Sequence, residues 1–365
     1  MRTEEIIQDL RRRIISGEFA VSGTLPRRHL LLEHYDASNM TVQRAINQLA
    51  EEGFLVSRGS KGIFLSATPP NRFRYALVVQ PSEVRMEIKD DTLWSAVENA
   101  VELYHEKHPE YSFSYYTIRE SGAHQPEYLR LKEDLKNGLL AGAIIPRSLD
   151  NELLDGLRPH PIAVHDSKSA TVPGIKFYYD WVAMTKLALE QLKQRHARKA
   201  ALIMLATTNP VLAGRIEETV LTSSLFSCPE WIQGIFQRTE QISWAARLTA
   251  LLFKPGMPEI PDGLIVLNEN LLPSILSELK RLGLKPGKDV HVVSHCNIPS
   301  SRAFQKNTDY VAFNFSRLLS ESIAAIEAIR SGNSIKENNP VKPELIIQDK
   351  KLSIKQHKNE RTVSL

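Results

Sequence analysis

The sequence predicts an α/β chain in two parts: a small head of three helices and a hairpin, then a larger body built on parallel sheets. Three observations predict it. Residues 38 to 49 place Val42, Ala45, Ile46 and Leu49 at i, i+3, i+4 and i+7, one apolar seam on a helix whose other face is polar. The chain before this helix has helical periodicity, and the chain after it turns at glycines. From Tyr75 onward, short apolar runs alternate with longer amphipathic ones, the pattern of strands joined by crossover helices.

In the head, Ile6, Leu10 and Ile14 recur at i+4 steps with Ile7 and Ile15 beside them, which predicts a first helix over residues 3 to 16 that Gly17 closes. Gly23 and Pro26 mark a loop. Residues 28 to 35 predict a second short helix around Leu30, Leu31 and Leu32, and Asp36-Ala37-Ser38 makes the turn, with Ser38 as the cap of the third helix. After Gly53, Phe54-Leu55-Val56 and Ile63-Phe64-Leu65 flank the turn Gly59-Ser60-Lys61-Gly62, a hairpin or wing with a basic tip. Thr68 to Arg72 holds consecutive prolines and predicts a linker without a helix.

The body predicts strands at 76–79, 112–117, 142–145, 162–165, 201–205, 263–267 and 290–293. Helices are predicted near 92–107, 126–137, 182–194, 214–224, 243–253, 271–282 and 316–330. So many units over this length divide into two lobes. The expected boundaries are a head over 1–67, a linker over 68–74, a two-lobed body over 75–348 and a lysine-rich tail over 349–365. No repeat of solenoid period and no low-complexity stretch is present.

Composition narrows the function classes. No apolar run approaches the roughly 20 residues of a membrane span, and the N-terminus lacks the apolar core of a signal peptide, so no membrane partner and a cytoplasmic location are expected. Two cysteines, Cys228 and Cys296, are too few for a disulfide framework or a closed zinc site. His291, His295 and Cys296 lie close in sequence, but strand alternation sends neighbours to opposite faces, so no metal site is expected. Residues 1–75 carry 11 Lys or Arg against 8 Asp or Glu, so the head holds most of the net charge of +4. From Arg58 to Arg74 there are four basic residues and no acidic one, which fits either phosphate contact or a solvated linker. No nucleophile elbow, phosphate loop or dinucleotide fingerprint appears, so neither catalysis nor a cofactor is expected.

The polar face of the third helix holds Thr41, Gln43, Arg44, Asn47 and Gln48. Asn, Gln and Arg carry the paired donors and acceptors that match adenine and guanine edges in the DNA major groove, so this helix is a candidate DNA reader. The first 66 residues resemble the DNA-binding domain of the GntR superfamily of bacterial regulators. The likeness is carried by Ile7 and Leu10-Arg11, Gly17, Gly23-Thr24-Leu25-Pro26, Leu30, Tyr35, Ser38, Thr41-Val42, Ala45, Leu49, Glu52-Gly53 and Gly62-Ile63-Phe64. The resemblance implies a winged helix-turn-helix. Ser38, Asn39, Thr41, Gln43 and Arg44 would enter the major groove, Arg58 and Lys61 would reach phosphate or the minor groove, and Arg11, Arg27 and Arg28 would anchor the backbone. The chain departs from the family's Ser-Arg opening with Asn39, from its next Arg with Gln43, from its Ser-x-Arg with Arg27-Arg28-His29, and from a wing glycine with Ser60. Fewer fixed cations should move binding away from the family's common operator.

The remainder resembles the effector domain of LacI-type repressors, which shares its fold with periplasmic sugar-binding proteins. The matching stretches are Tyr75-Ala-Leu-Val-Val, Tyr179-Asp180 with Lys199-Ala-Ala-Leu-Ile, residues 262–269 leading to 282–293, and Pro343-Glu344-Leu345. A GntR head on such a body resembles regulators of arabinose use. The resemblance implies a homodimer on double-stranded operator DNA, controlled by a small polar effector of saccharide type. The effector residues it implies are Trp94, Asp180, Arg215, Asn268, Glu269 and Cys296. Read as residues alone, a Trp early in a helix is more often core than a ligand platform, Asp180 serves more often as a cap for the helix beginning at Trp181, and Arg215 and Glu269 could equally be solvent charges at helix starts. The family's Gly-Phe-Asp-Asp appears as Ser294-His295-Cys296-Asn297, and Cys296 cannot hold a hydroxyl pair as a carboxylate does. Two other functions stay open: a regulator whose altered cleft docks a protein, and a fused metabolite-converting enzyme.

Overall fold

The structure is a computed structural model that describes residues 2–80, 92–119, 122–147, 149–165, 174–206, 209–226, 228–235, 241–300, 302–336 and 338–347. The predicted tail over 349–365 lies outside the described residues. In the head, α1 (Thr3–Ile15), α2 (Arg28–Tyr35) and α3 (Asn39–Glu52) precede a hairpin of β1 (Leu55–Ser57) and β2 (Ile63–Leu65). The predicted seams are the buried ones: Ile6, Ile7, Leu10 and Ile14 from α1 meet Leu31 and Tyr35 from α2 and Val42, Ala45, Ile46 and Leu49 from α3. Ser38 caps α3, its Oγ accepting from the Thr41 backbone N–H at 3.2 Å, and Gly53 ends the helix at φ 96°, a left-handed angle that favours glycine. The wing pairs Leu55 with Leu65, Val56 with Phe64 and Ser57 with Ile63, antiparallel.

Arg11 corrects one expectation. It was placed on the DNA backbone, yet it is 5 % exposed and forks onto Glu52, with Nε at 3.1 Å from Oε2 and Nη2 at 2.7 Å from Oε1. Gln48 also donates to Glu52 Oε1 at 3.1 Å. Leu10 and Ile14 turn their α1 face into the core, and Arg11 lies next to that face, so its guanidinium meets the C-terminal turn of α3 instead of solvent.

The prolines supply a second correction. Pro69 and Pro70 do not prevent a helix: Pro69 caps and Pro70 begins α4 (Pro70–Phe73), because the first turn of a helix leaves its N–H groups unbonded in any case. Pro70 is buried, and β3 (Arg74–Val79) follows directly.

The body continues as α5 (Thr92–Lys107), β4 (Ser112–Thr117), α6 (Pro126–Lys136), β5 (Gly142–Ile145), α7 (Asn151–Asp155), β6 (Ile162–His165), β7 (Ile175–Tyr179), α8 (Trp181–Gln194) and β8 (Ala200–Leu205). After these come α9 (Pro210–Leu221), β9 (Ile232–Ile235), α10 (Gln241–Leu252), β10 (Gly263–Val266), α11 (Leu272–Arg281), β11 (His291–Ile298), β12 (Thr308–Asn314), α12 (Phe315–Arg330), β13 (Asn338–Val341) and β14 (Glu344–Ile346). One sheet runs β13-β7-β6-β5-β3-β4 and the other β14-β12-β11-β10-β8-β9. Within the first, β3 to β7 pair in parallel; within the second, β8 to β12 do so, and β14 joins antiparallel. In each sheet the second strand in sequence lies outside the first and the third begins the opposite direction of growth. That reversal is the switch point at which doubly wound sheets bind ligands, beyond the carboxyl ends of the strands.

Two compact units result. The first takes in Met1–Pro81, Val101–Tyr178 and Ser320–Asn339, and the second Ser82–Ala100, Tyr179–Leu319 and Pro340–Leu365. The head therefore shares a unit with the first sheet. Leu139 packs on the head core, and the Ile15 side chain comes so near Gly138 that a Cβ there would lie 2.4 Å from Ile15 Cδ1.

The buried fork between α1 and α3 gives a stability prediction. Glu52→Ala leaves the Arg11 charge unpaired, and we expect a loss of about 3 kcal/mol from the head. Replacing both residues by apolar side chains, as in Arg11→Met with Glu52→Leu, should recover most of it. Calorimetric unfolding of the two variants beside the wild type checks both outcomes.

Candidate nucleic-acid interface and effector site

Burying Val42, Ala45, Ile46 and Leu49 leaves Ser38, Asn39, Arg44, Asn47 and Gln48 exposed and Thr41 and Gln43 half-buried. Ser38 Oγ lies 2.9 Å from Thr41 Oγ1. Asn39, Gln43 and Asn47 stand one turn apart in a single row. Arg28, from α2, was expected on the phosphate backbone; its Nη1 donates to Asn39 Oδ1 at 3.1 Å and its Nη2 donates to Gln43 Oε1. Gln43 Nε2 then donates to Asn47 Oδ1 at 2.6 Å. Arg27 and Lys61 are exposed, and Arg58 is exposed with its guanidinium 4.6 Å from the centre of the Phe64 ring, which supports it on the wing. Met40 is 64 % exposed near the start of α3, a position with no role in the sequence reading. Its exposure beside Asn39 follows from the same helical period.

The effector residues expected from the sequence all fall in the second unit, where they divide. Asn268 and Glu269 follow β10 at the switch point beside β8, which suits a ligand site. Asn268 Oδ1 accepts from the Asn270 N–H at 2.9 Å. Glu269 is 7 % exposed, and its Oε1 accepts from both the Asn297 backbone N–H and Asn297 Nδ2 at 3.0 Å. Burial raises its carboxyl to about 7, partly offset by hydrogen bonds from Thr92 and Asn297 and by the charge of Arg302. Asp180 caps α8, its Oδ1 accepting from the Ala183 N–H at 2.9 Å. Arg215 is exposed on α9, and Trp94 is buried at 4 % exposure.

Ser294, His295, Cys296 and Asn297 stand at the family's ligand positions just beyond the strand predicted over 290–293. They continue β11 instead and are all buried. Alternation sends Cys296 into the apolar cluster with Val290 and Val292, while His295 and Asn297 take the opposite face. Burial holds the Cys296 thiol well above its usual range. His295 Nε2 lies 3.2 Å from Asn297 Oδ1, and because Asn297 Nδ2 donates to Glu269, that oxygen accepts from the ring. Burial lowers His295 to about 4, so the ring is neutral at pH 7. It packs 5.1 Å from Trp181 and 5.8 Å from Phe313, with Tyr179 4.9 Å from Phe313. Trp181 is half-buried. This aromatic group went unread in the sequence because its members come from four separate elements; the run Tyr179-Asp180-Trp181 at a helix start was the available signal.

Glu269 gives a pH prediction. The native state keeps a proton that the unfolded chain loses near 4.5, so this group makes stability fall as pH rises from about 4.5 to about 7 and stay level outside that window. His165 and His295, lowered to about 3 and about 4, act in the opposite sense below 6.5, so the comparison must be made with a variant. Glu269→Gln is expected to be more stable relative to wild type at pH 8 than at pH 4.5 by on the order of 3 kcal/mol. Urea unfolding of both proteins at the two pH values measures it.

Residues 2–65 match the family described as bacterial regulatory proteins, gntR family. No curated protein matches the chain. Among solved structures, a regulatory protein of the LacI family from Chloroflexus aggregans aligns with a TM-score of 0.58 at 15 % identity, covering 76 % of this chain and 97 % of that one. A LacI family transcription regulator from Clostridium acetobutylicum aligns at 0.57 and 15 %, covering 76 % and 100 %. The lac repressor dimer bound to operator and the anti-inducer ONPF aligns at 0.54 and 16 %, covering 75 % and 92 %. The chain thus joins a GntR-family helix-turn-helix domain to a body with the fold of LacI-family repressors.

Proposed function

We propose that the protein is a DNA-binding transcription regulator, a repressor that acts in the cytoplasm as a homodimer on an inverted-repeat operator. The observation that carries this reading is α3: a buried apolar seam, a capped N-terminus, and an outward row of Asn39, Gln43 and Asn47 beside exposed Arg44. Arg27, Arg58 and Lys61 would supply the phosphate contacts, without the buried Arg11. The structurally similar lac repressor is a dimer on operator, and the same assembly is proposed for this chain.

The body would sense a small polar effector at the carboxyl ends of its strands. Asn268 at the switch point and the half-buried Trp181 ring suit a neutral molecule with an apolar face, a saccharide among them. Trp94 and Cys296 are withdrawn from the proposed contacts by their burial. Effector control would amount to differential binding to two states, typically ~1 to 3 kcal/mol. A second reading, a cleft that docks a protein partner, draws on one observation: Glu269 and Asn297 are hydrogen-bonded to each other.

Gel-shift titration of the purified chain on the DNA upstream of its own gene should give a sequence-preferring complex that weakens steeply with salt, and absence of such a complex would defeat the DNA reading. For the effector, a thermal-shift panel of pentoses and hexoses should raise the melting temperature. A ligand at a hundred times its dissociation constant adds ~2.7 kcal/mol. A flat response across the panel favours the protein-docking cleft.

A further inference from the structure

The hydrogen bonds around Gln43 contain more than a list of exposed polar groups. An amide oxygen has two lone pairs and an amide nitrogen two hydrogens. In Gln43, Arg28 Nη2 occupies one lone pair and Asn47 Oδ1 one hydrogen. One acceptor and one donor remain, both on the same amide. Arg28 also holds Asn39 Oδ1 at 3.1 Å, so a single planar guanidinium spans two side chains of the row and cannot follow one without releasing the other.

From this geometry we infer that Gln43 reads an adenine, and that Arg28 is a positioning residue that sets this choice; the inference rests on the reading of α3 as a major-groove helix. Adenine presents N7 as acceptor and N6–H as donor, which match the free Nε2–H and the free Oε1 lone pair. Every polar atom of the Gln43 amide is then satisfied, by Arg28 and adenine N6–H at the oxygen and by Asn47 and adenine N7 at the nitrogen. Guanine presents N7 and O6, both acceptors, so Oε1 would face O6 without a hydrogen between them. Turning the amide over would offer NH2 to O6 but set Oε1 against N7, so one mismatch would remain. The turn also directs NH2 hydrogens at the Arg28 guanidinium and removes the donor to Asn47, so the fork holds the side chain in its adenine orientation.

The test is selection of binding sites from a pool of random DNA duplexes by the full-length chain, repeated with Gln43→Ala and Arg28→Lys. The wild type is expected to enrich half-sites with an A·T pair whose preference disappears in Gln43→Ala. Replacing that adenine with 7-deazaadenine, or the pair with G·C, should weaken wild-type binding about 10-fold or more. Arg28→Lys keeps the charge but not the fork. A phosphate anchor would survive that change with its sequence preference intact, whereas a positioning residue loses it: the penalty for G·C should fall below about 3-fold while binding at low salt is retained. A Gln43-dependent G·C pair, no Gln43-dependent pair, or unchanged preference in Arg28→Lys overturns the inference and leaves the DNA reading standing. Failure of the wild type to enrich any sequence overturns both. Should Arg28→Lys lose its native circular dichroism, the 7-deazaadenine result on the wild type decides.

Discussion

The burial of one helical seam governs the head. Once Val42, Ala45, Ile46 and Leu49 face α1 and α2, the 3.6-residue period sets Asn39, Gln43 and Asn47 along the flank of the outward face, with Gln43 half-buried and Arg44 fully outward. Their donors and acceptors are directed outward by the apolar packing beneath them. The Arg11–Glu52 fork secures the same arrangement from the other end of α3, at the cost of removing a cation from the DNA-facing inventory. Apolar contact thus sets the orientation of the helix, and a few ionic contacts fix its register.

The body follows a comparable logic twice. Both sheets have the same strand order relative to sequence, although no repeat is visible in the residues, so topology and not sequence similarity relates the two lobes. In the second lobe the switch point brings Asn268 and Glu269 to the carboxyl ends of the strands, and the continuation of β11 changes what surrounds them. Glu269, kept in a dry setting and bonded to Asn297, acts first as a clamp between β10 and β11. The neutral His295 ring, paired with Asn297 and packed on Trp181, extends that clamp to the start of α8.

Much of this was legible in the residues. The head helices, the wing and the crossover helices near 92–107, 126–136 and 315–330 stand where periodicity places them, because each buries a single apolar stripe. What escaped were elements whose polar residues are satisfied at long range. β12 carries Asp309, which suggests a loop until Gln191 and Arg195 are seen to donate to it at 2.7 to 2.9 Å. β9 includes Gly234 and lies at a sheet edge, where a strand pattern is weakest. β11 runs five residues past the predicted end at Val293, through the polar residues Ser294, His295 and Asn297, each of which is buried. Among the candidate contacts, Arg44, Arg27 and Lys61 are exposed as their positions suggested. Arg11, Trp94 and Cys296 are not, since the depth of a side chain depends on neighbours that only the fold brings together.

Gly138 carries a consequence for how the head meets its target. With Ile15 resting against that glycine and Leu139 joining the head core, the head is already oriented on its lobe before any DNA arrives. The entropy of ordering it is lost on folding and need not be lost again on association. In the proposed dimer such preorganisation would favour tight binding to half-sites at one separation and discriminate against sites with a base pair inserted between them.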